Sequence, residues 1–334
     1  MIKNINLFFK PYFQFIIISA ITIFIFAAAY FKLQQNIFLD PEPKVEFSKD
    51  KVTKVKVGLN VQNFLIFNVT FNEFSVDLNL WFEFDPEEIS LKDIEKFDFS
   101  KGEIIEKSEP VITNKNGKTF VRYDIKLKLS SNLNYKYFPL EDHKFFIVLN
   151  NKNLDGKKIV FESDKNDISI SESLYTPGWK AVNANVKAGT RTINMGKNES
   201  LTFPRAVFSI DFMQSTLRPF IFIVLPILIA ILIIFCAIAM SWKSEFSTIM
   251  GLTVGNLAAI VSYRFVIEKI SPRVDYFILS DQIFSFFLIL IFLVFFIEIF
   301  FRSKLEKRPN LRVSAIMGLY LAVILGWSYL LFIW

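Results

Sequence analysis

Two scarce residue types bound the chemistry open to this 334-residue chain: it has one histidine, His143, and one cysteine, Cys236. A lone histidine excludes a histidine-cluster metal site. A lone cysteine excludes a CxxC pair and any disulfide within the chain. Serine and aspartate are plentiful, but His143 closes the run Phe138-Pro139-Leu140-Glu141-Asp142-His143 with no nucleophile motif beside it. No catalytic constellation can be read, so the chain is expected neither to be an enzyme nor to need a cofactor. His143 itself could titrate near neutral pH or simply pack a loop.

Spacing points to chemistry of a different kind. Thr248, Gly251, Gly255, Ala259 and Ser262 recur every three or four residues in an uncharged stretch, 246–263. On a helix they form one small, weakly polar stripe, with Ile249, Leu252, Leu257 and Ile260 largely elsewhere. Such a stripe could line a hydrated path for ions, or a constriction that gates by dewetting. The Gly251-x3-Gly255-x3-Ala259 spacing is equally that of a face for close helix packing, and the residues alone leave both open. Glu245, beside Lys243, would put a carboxylate at one mouth of such a path and favour cations, while Arg264, Glu268 and Lys269 give mixed signs at the other end. Those charges could instead anchor helix ends among lipid headgroups.

The elements that must hold these residues are membrane helices. Residues 11–31, 219–240, 246–263 and 313–334 carry no charge, and Asp281 and Glu298 bracket a fifth apolar run, 282–297. About 20 apolar residues cross the hydrocarbon core of a bilayer, so these read as spans of a multi-pass protein. Residues 32–216 hold 26 basic and 26 acidic residues, which leaves 12 basic and 6 acidic residues for the rest. The net charge of +6 therefore belongs to the membrane part. Arg302, Lys304, Lys307, Arg308 and Arg312 cluster between the last two runs, and Lys3 and Lys10 precede the first. Basic loops stay in the cytoplasm, so residues 34–216 are expected outside, periplasmic or extracellular, in a cell (inner) membrane. The basic balance then calls for no nucleic acid. The first run, residues 1–33, is either an uncleaved anchor or a signal peptide ending near Ala27-Ala28-Ala29.

Residues 51–216 alternate with a period of two. Val55, Val57, Leu59 and Val61 face one way, as do Phe74, Val76, Leu78 and Leu80, and again Val121, Tyr123, Ile125, Leu127 and Leu129. Further strands are expected at 144–149, 158–162 and 207–212, with turns at Asn116-Gly117, Asp155-Gly156 and Pro177-Gly178 and one short helix at 93–96. Eight to ten antiparallel strands predict an immunoglobulin-like β-sandwich. Residues 34–50, with Pro41 and Pro43, read as a linker, and residues 217–334 as an all-α four-helix transmembrane bundle. The 40 phenylalanines, with abundant Lys, Asn and Ile, read as low-GC codon usage rather than chemistry.

In order and connectivity, residues 50–334 resemble the pentameric ligand-gated ion channels, the Cys-loop receptor superfamily, in a prokaryotic form without the cysteines. Phe138-Pro139-Leu140-Glu141-Asp142-His143 looks like the family's F-P-F-D-x-Q loop, with Glu141 and His143 departing from it. Trp81 fits the tryptophan of its second strand, and Arg218, Pro219 and Pro226 fit the start of its first pore-domain helix. Pro272-Arg273-Val274-Asp275-Tyr276, followed by Asp281, fits the loop after its pore helix. The resemblance implies a homopentamer in which a small-molecule ligand, bound in the exported sandwich, opens a path for inorganic ions along the helix 246–265. It implies coupling through Glu141, His143, Arg218, Pro272, Arg273 and Tyr276, with Glu141 paired to Arg218. It also implies an aromatic ligand site between neighbouring subunits' sandwiches, to which Trp81, the hairpin Thr192–Phe203, Tyr175 and Trp179 could contribute. Any of these could instead be junction or core residues. A non-conducting membrane sensor or scaffold, binding a partner through the sandwich, is the alternative reading.

Overall fold

The computed structural model describes residues 11–35, 38–47, 52–115, 117–196, 199–240 and 246–330. The chain forms two bodies: a β body of residues 37–134 and 142–215, and a helical body of residues 1–36, 135–141 and 216–334.

The β body contains two sheets. In the seven-stranded sheet, strand β1 (Thr53–Asn68) pairs with β2 (Glu73–Phe84), and β2 pairs with β6 (Lys118–Leu129). The far edge of β6 carries β4 (Gly102–Lys107) and β5 (Val111–Lys115) end to end. In the four-stranded sheet, the long hairpin β10 (Trp179–Asn194) and β11 (Ser200–Gln214) continues through β7 (His143–Asn150) to β3 (Asp98–Phe99). Burial along β6 alternates strictly, as its sequence requires of a strand with one wet face. One expectation needs correcting. The strands are not all antiparallel, because β8 (Ile159–Glu162) and β9 (Ile168–Ile170) run parallel to β1. The short helix forms at α2 (Leu91–Ile94), close to its expected place.

Phenylalanine joins the sheets. Phe64 and Phe74 of the larger sheet lie 5.5 and 4.7 Å from the Phe145 ring of the smaller one, and Phe67 lies 4.8 Å from Phe212. Edge-on and tilted contacts of this kind add to the stabilisation that burial already provides. At these positions phenylalanine fills the core between the sheets.

The expected linker is also corrected. Residues 38–47 form a strap bridged to the β body at Phe38–Asp142 and Glu46–Thr190. The fully buried Asp40 carboxylate accepts from the backbone N–H groups of Asn134 and Lys144, both at 2.6 Å, and lies 3.2 Å from His143 Nδ1. Glu42 meets Lys187 at 2.5 Å, and Glu46 accepts from the Thr192 hydroxyl at 2.8 Å. A segment with three such carboxylate anchors is part of the fold.

The helical body holds α1 (Pro11–Leu33), α3 (Arg218–Met240), α4 (Phe246–Ile270), α5 (Leu279–Lys307) and α6 (Pro309–Ser328). Among the described residues, four windows are long and apolar enough to cross a membrane: Ile16–Leu33, Arg218–Phe235, Met250–Ile270 and Leu279–Ile297. The apolar stretch of α6, Val313–Ser328, is shorter. Helix α1 packs on α3, with Phe26 edge-on to Phe220 at 5.8 Å and Ala28 and Ala29 buried. Trp327, fully buried, gathers the rings of Phe220 and Phe287.

Candidate functional site

Helix α4 is the least covered of the long apolar helices: 22% of its Met250–Ile270 window is buried. The buried side is specific. Thr253, Asn256, Ile260 and Ile267 turn inward, and the Asn256 amide donates to the Ala230 carbonyl of α3 at 2.7 Å. At about 100° per residue, these four fall on one face. Thr248, Gly251, Gly255, Ala259 and Ser262 fall on the other side, and all five are exposed. A methyl group added at Gly251 or Gly255 would meet nothing within 4 Å. Among the described residues, therefore, nothing packs closely on the two glycines of the small stripe. Leu252, which the sequence places off the stripe, is also exposed, at 42%. Glu245 and Lys243 lie outside the described residues.

The C-terminal end of α4 is tied to α5. Arg264 and Asp281 form an ion pair, and the intervening turn borders a cleft of about 560 Å³ whose lining includes Glu268, Pro272 and Arg273. Residues 135–141 dock on this turn. The backbone N–H of Tyr135 donates to the Tyr276 hydroxyl oxygen at 2.9 Å. The carbonyls of Lys136 and Phe138 accept from the N–H groups of Leu279 and Ser280, both at 3.0 Å. The first N–H groups of any helix lack partners within that helix. Here a distant loop supplies them, so the 135–141 turn caps α5. The Phe138–Pro139 peptide in this turn is cis. Lys32 of α1 adds a further tie, its ammonium lying 4.1 Å over the Tyr137 ring.

Of the residues expected to couple the two parts, Tyr276 thus touches the turn, Pro272 is buried and Arg273 is exposed. Glu141 is buried, but the expected ion pair with Arg218 does not form. The Arg218 guanidinium lies 5.5 Å over the Phe222 ring on the next turn of its own helix. His143 belongs to the β body, buried against Asp40 and 5.4 Å from the Trp179 ring. Burial raises the carboxyl of its neighbour Asp142 above the usual range, against the lowering pull of the Gln214 N–H bond and of His143.

The four aromatic candidates do not converge. Tyr175 and Trp179 line one open cleft of about 800 Å³, together with Ile170, Leu174 and Val182. Trp81 stacks on Phe120 at 5.5 Å, and Phe203 is fully buried. Phe203 offers no exposed surface within its own chain.

Sequence reasoning missed Asp40, Asn256 and the capping carbonyls of Lys136 and Phe138. Backbone carbonyls carry no residue signature, and the partners of Asp40 lie about a hundred residues away. No family model matches the chain, and no curated protein matches its sequence.

Proposed function

We propose that the chain is one subunit of a pentameric ligand-gated ion channel. The exported, immunoglobulin-like β body takes a small-molecule ligand, and α4 lines a path for inorganic ions, cations favoured, through a homopentamer in the cell (inner) membrane. One observation carries this reading: helix α4, uncharged over 246–263, buries Asn256 and Ile260 and, among the described residues, leaves its smallest, weakly polar face exposed. A stripe of Thr, Gly, Ala and Ser leaves room around an axis of symmetry and does not repel water as a wall of Leu and Phe does. The capping of α5 by residues 135–141 supports the coupling role, since moving that turn removes two partners from the helix that follows α4.

The test is reconstitution of the full chain in planar bilayers, with Ala259→Cys placed in a Cys236→Ser background. The channel reading expects unitary currents that a cationic thiol reagent blocks in the Ala259→Cys protein and leaves unchanged in the background. Five-fold particles that pass no current at any pH or voltage would favour the non-conducting sensor. Currents indifferent to modification at residue 259 would remove α4 from the path.

A further inference from the structure

At the open edge of the β body a cation already sits in an aromatic corner. Lys107, the last residue of β4, places its ammonium 4.5 Å from the ring centroid of Phe97 and 4.5 Å from that of Tyr123. The two rings lie 5.5 Å apart at 63°, so their faces converge on one point. Both are buried, Phe97 at 7% exposure and Tyr123 at 0%, and so are fixed in place before any cation arrives. The ammonium also donates to the Glu95 carbonyl at 3.3 Å, and the Glu95 carboxylate accepts from the Tyr123 hydroxyl at 3.2 Å. The corner therefore offers two π faces, a carbonyl acceptor and a nearby negative charge. That is the set of groups that recognises an organic ammonium ion. Lys107 itself is exposed. Its ammonium is held below the usual lysine range by burial, against the pull of Glu95 and Glu109, so the corner desolvates its occupant.

We infer that Phe97, Tyr123 and Glu95 form a binding site for small primary or quaternary ammonium ions, which Lys107 fills as a tethered occupant and yields to a free ligand. The site is distinct from the cleft at Tyr175 and Trp179, and it stands whether or not the protein conducts ions. A group held on a short flexible tether competes at an effective concentration of millimolar order. A free ammonium must outcompete it, so its apparent affinity for the native chain is weakened accordingly.

Tetramethylammonium and propylammonium serve as probes, at matched ionic strength on the detergent-solubilised full chain, with binding read by saturation-transfer NMR. Lys107→Ala is expected to bind tetramethylammonium at least tenfold more tightly than the native chain. Adding Phe97→Leu to Lys107→Ala should abolish the gain, while neutral tert-butanol should show no difference among the three proteins. Should Lys107→Ala lose its fold, Lys107→Met keeps the aliphatic stem and answers the same question. A folded Lys107 variant that binds tetramethylammonium no better than the native chain overturns the inference. So does a gain that survives Phe97→Leu.

Discussion

The hydroxyl of Tyr263 on α4 donates its hydrogen bond to the backbone carbonyl of Phe222 on α3. That carbonyl is the one that Pro226, four residues further along α3, leaves without a helical donor. In an apolar environment an orphaned carbonyl is costly, and a neighbouring helix is the usual source of a replacement. The pair ties α4 to α3 two turns along from the Asn256 bond to Ala230.

Removing that hydroxyl should therefore loosen the two helices. Tyr263→Phe is expected to cost about 1–3 kcal/mol, read as a fall in unfolding midpoint in detergent. Combining it with Pro226→Ala, which restores the N–H, should recover most of the loss. If the double variant is no more stable than Tyr263→Phe, the hydroxyl is not compensating for the proline.

Glycine positions separate a free helix face from an internal one. Gly255→Ala meets no atom within 4 Å and should leave the fold intact or stabilise it by up to about 1 kcal/mol through helix propensity. Gly326→Ala would drive its methyl into the Phe286 ring and should cost about 1–3 kcal/mol by overpacking. Thermal unfolding of the two variants side by side checks the ranking. Equal destabilisation would mean that the Gly255 face is packed.

Asp40 anchors the strap to the β body. Asp40→Ala leaves the Asn134 and Lys144 N–H groups without their acceptor, at about 1–3 kcal/mol for each buried orphan. Asp40→Asn retains one acceptor oxygen and should cost less. Hydrogen exchange at Asn134 and Lys144 reports the effect locally. Unchanged protection in Asp40→Ala would show that the strap does not hold these amides.

Acid and base should act in opposite senses on two carboxylates near the strap. Burial raises Asp142, so the stability it contributes is fully present below its unfolded pKa of about 3.9 and is lost as pH rises through the folded value. Asp142→Asn keeps an acceptor for the Gln214 N–H and removes the charge. It should match the native chain in acid and exceed it at neutral pH. The Lys187 hydrogen bond lowers Glu42, whose contribution is present above its unfolded pKa and is lost as pH falls through the folded value. Glu42 is largely solvated, so Glu42→Gln should cost no more than about 1 kcal/mol at neutral pH. Stability curves from pH 3 to 8 decide both, and an Asp142→Asn deficit at neutral pH would refute the first.

Much of the architecture was legible because its signals are local. The uncharged runs became helices, and the alternation at 55–61, 74–80 and 121–129 grew into β1, β2 and β6. Strand β10 escaped notice because its alternation, Val182, Ala184, Val186 and Ala188 against Asn183, Asn185 and Lys187, rests on small residues and gives a weak apolar signal, and its partner β11 supplies the ladder. Strands β8 and β9 are too short to announce a direction, and only β1 reveals that they run parallel to it. The strap at 38–47 looked like a linker because the partners of Asp40, Glu42 and Glu46 are 94 or more residues away.

By itself, the sequence determined which segments are apolar enough to enter a membrane, which alternate as strands, and that α4 carries a small, uncharged stripe. Each follows from the periodicity of a single segment. Only the tertiary structure decided which polar groups find each other: Tyr263 with the Phe222 carbonyl, Tyr135 with Tyr276, Asp40 with His143, and Lys107 with Phe97 and Tyr123. It also set Arg218 over the Phe222 ring of its own helix and buried Phe203. Such pairings depend on where distant segments meet, and no spacing along one segment encodes that.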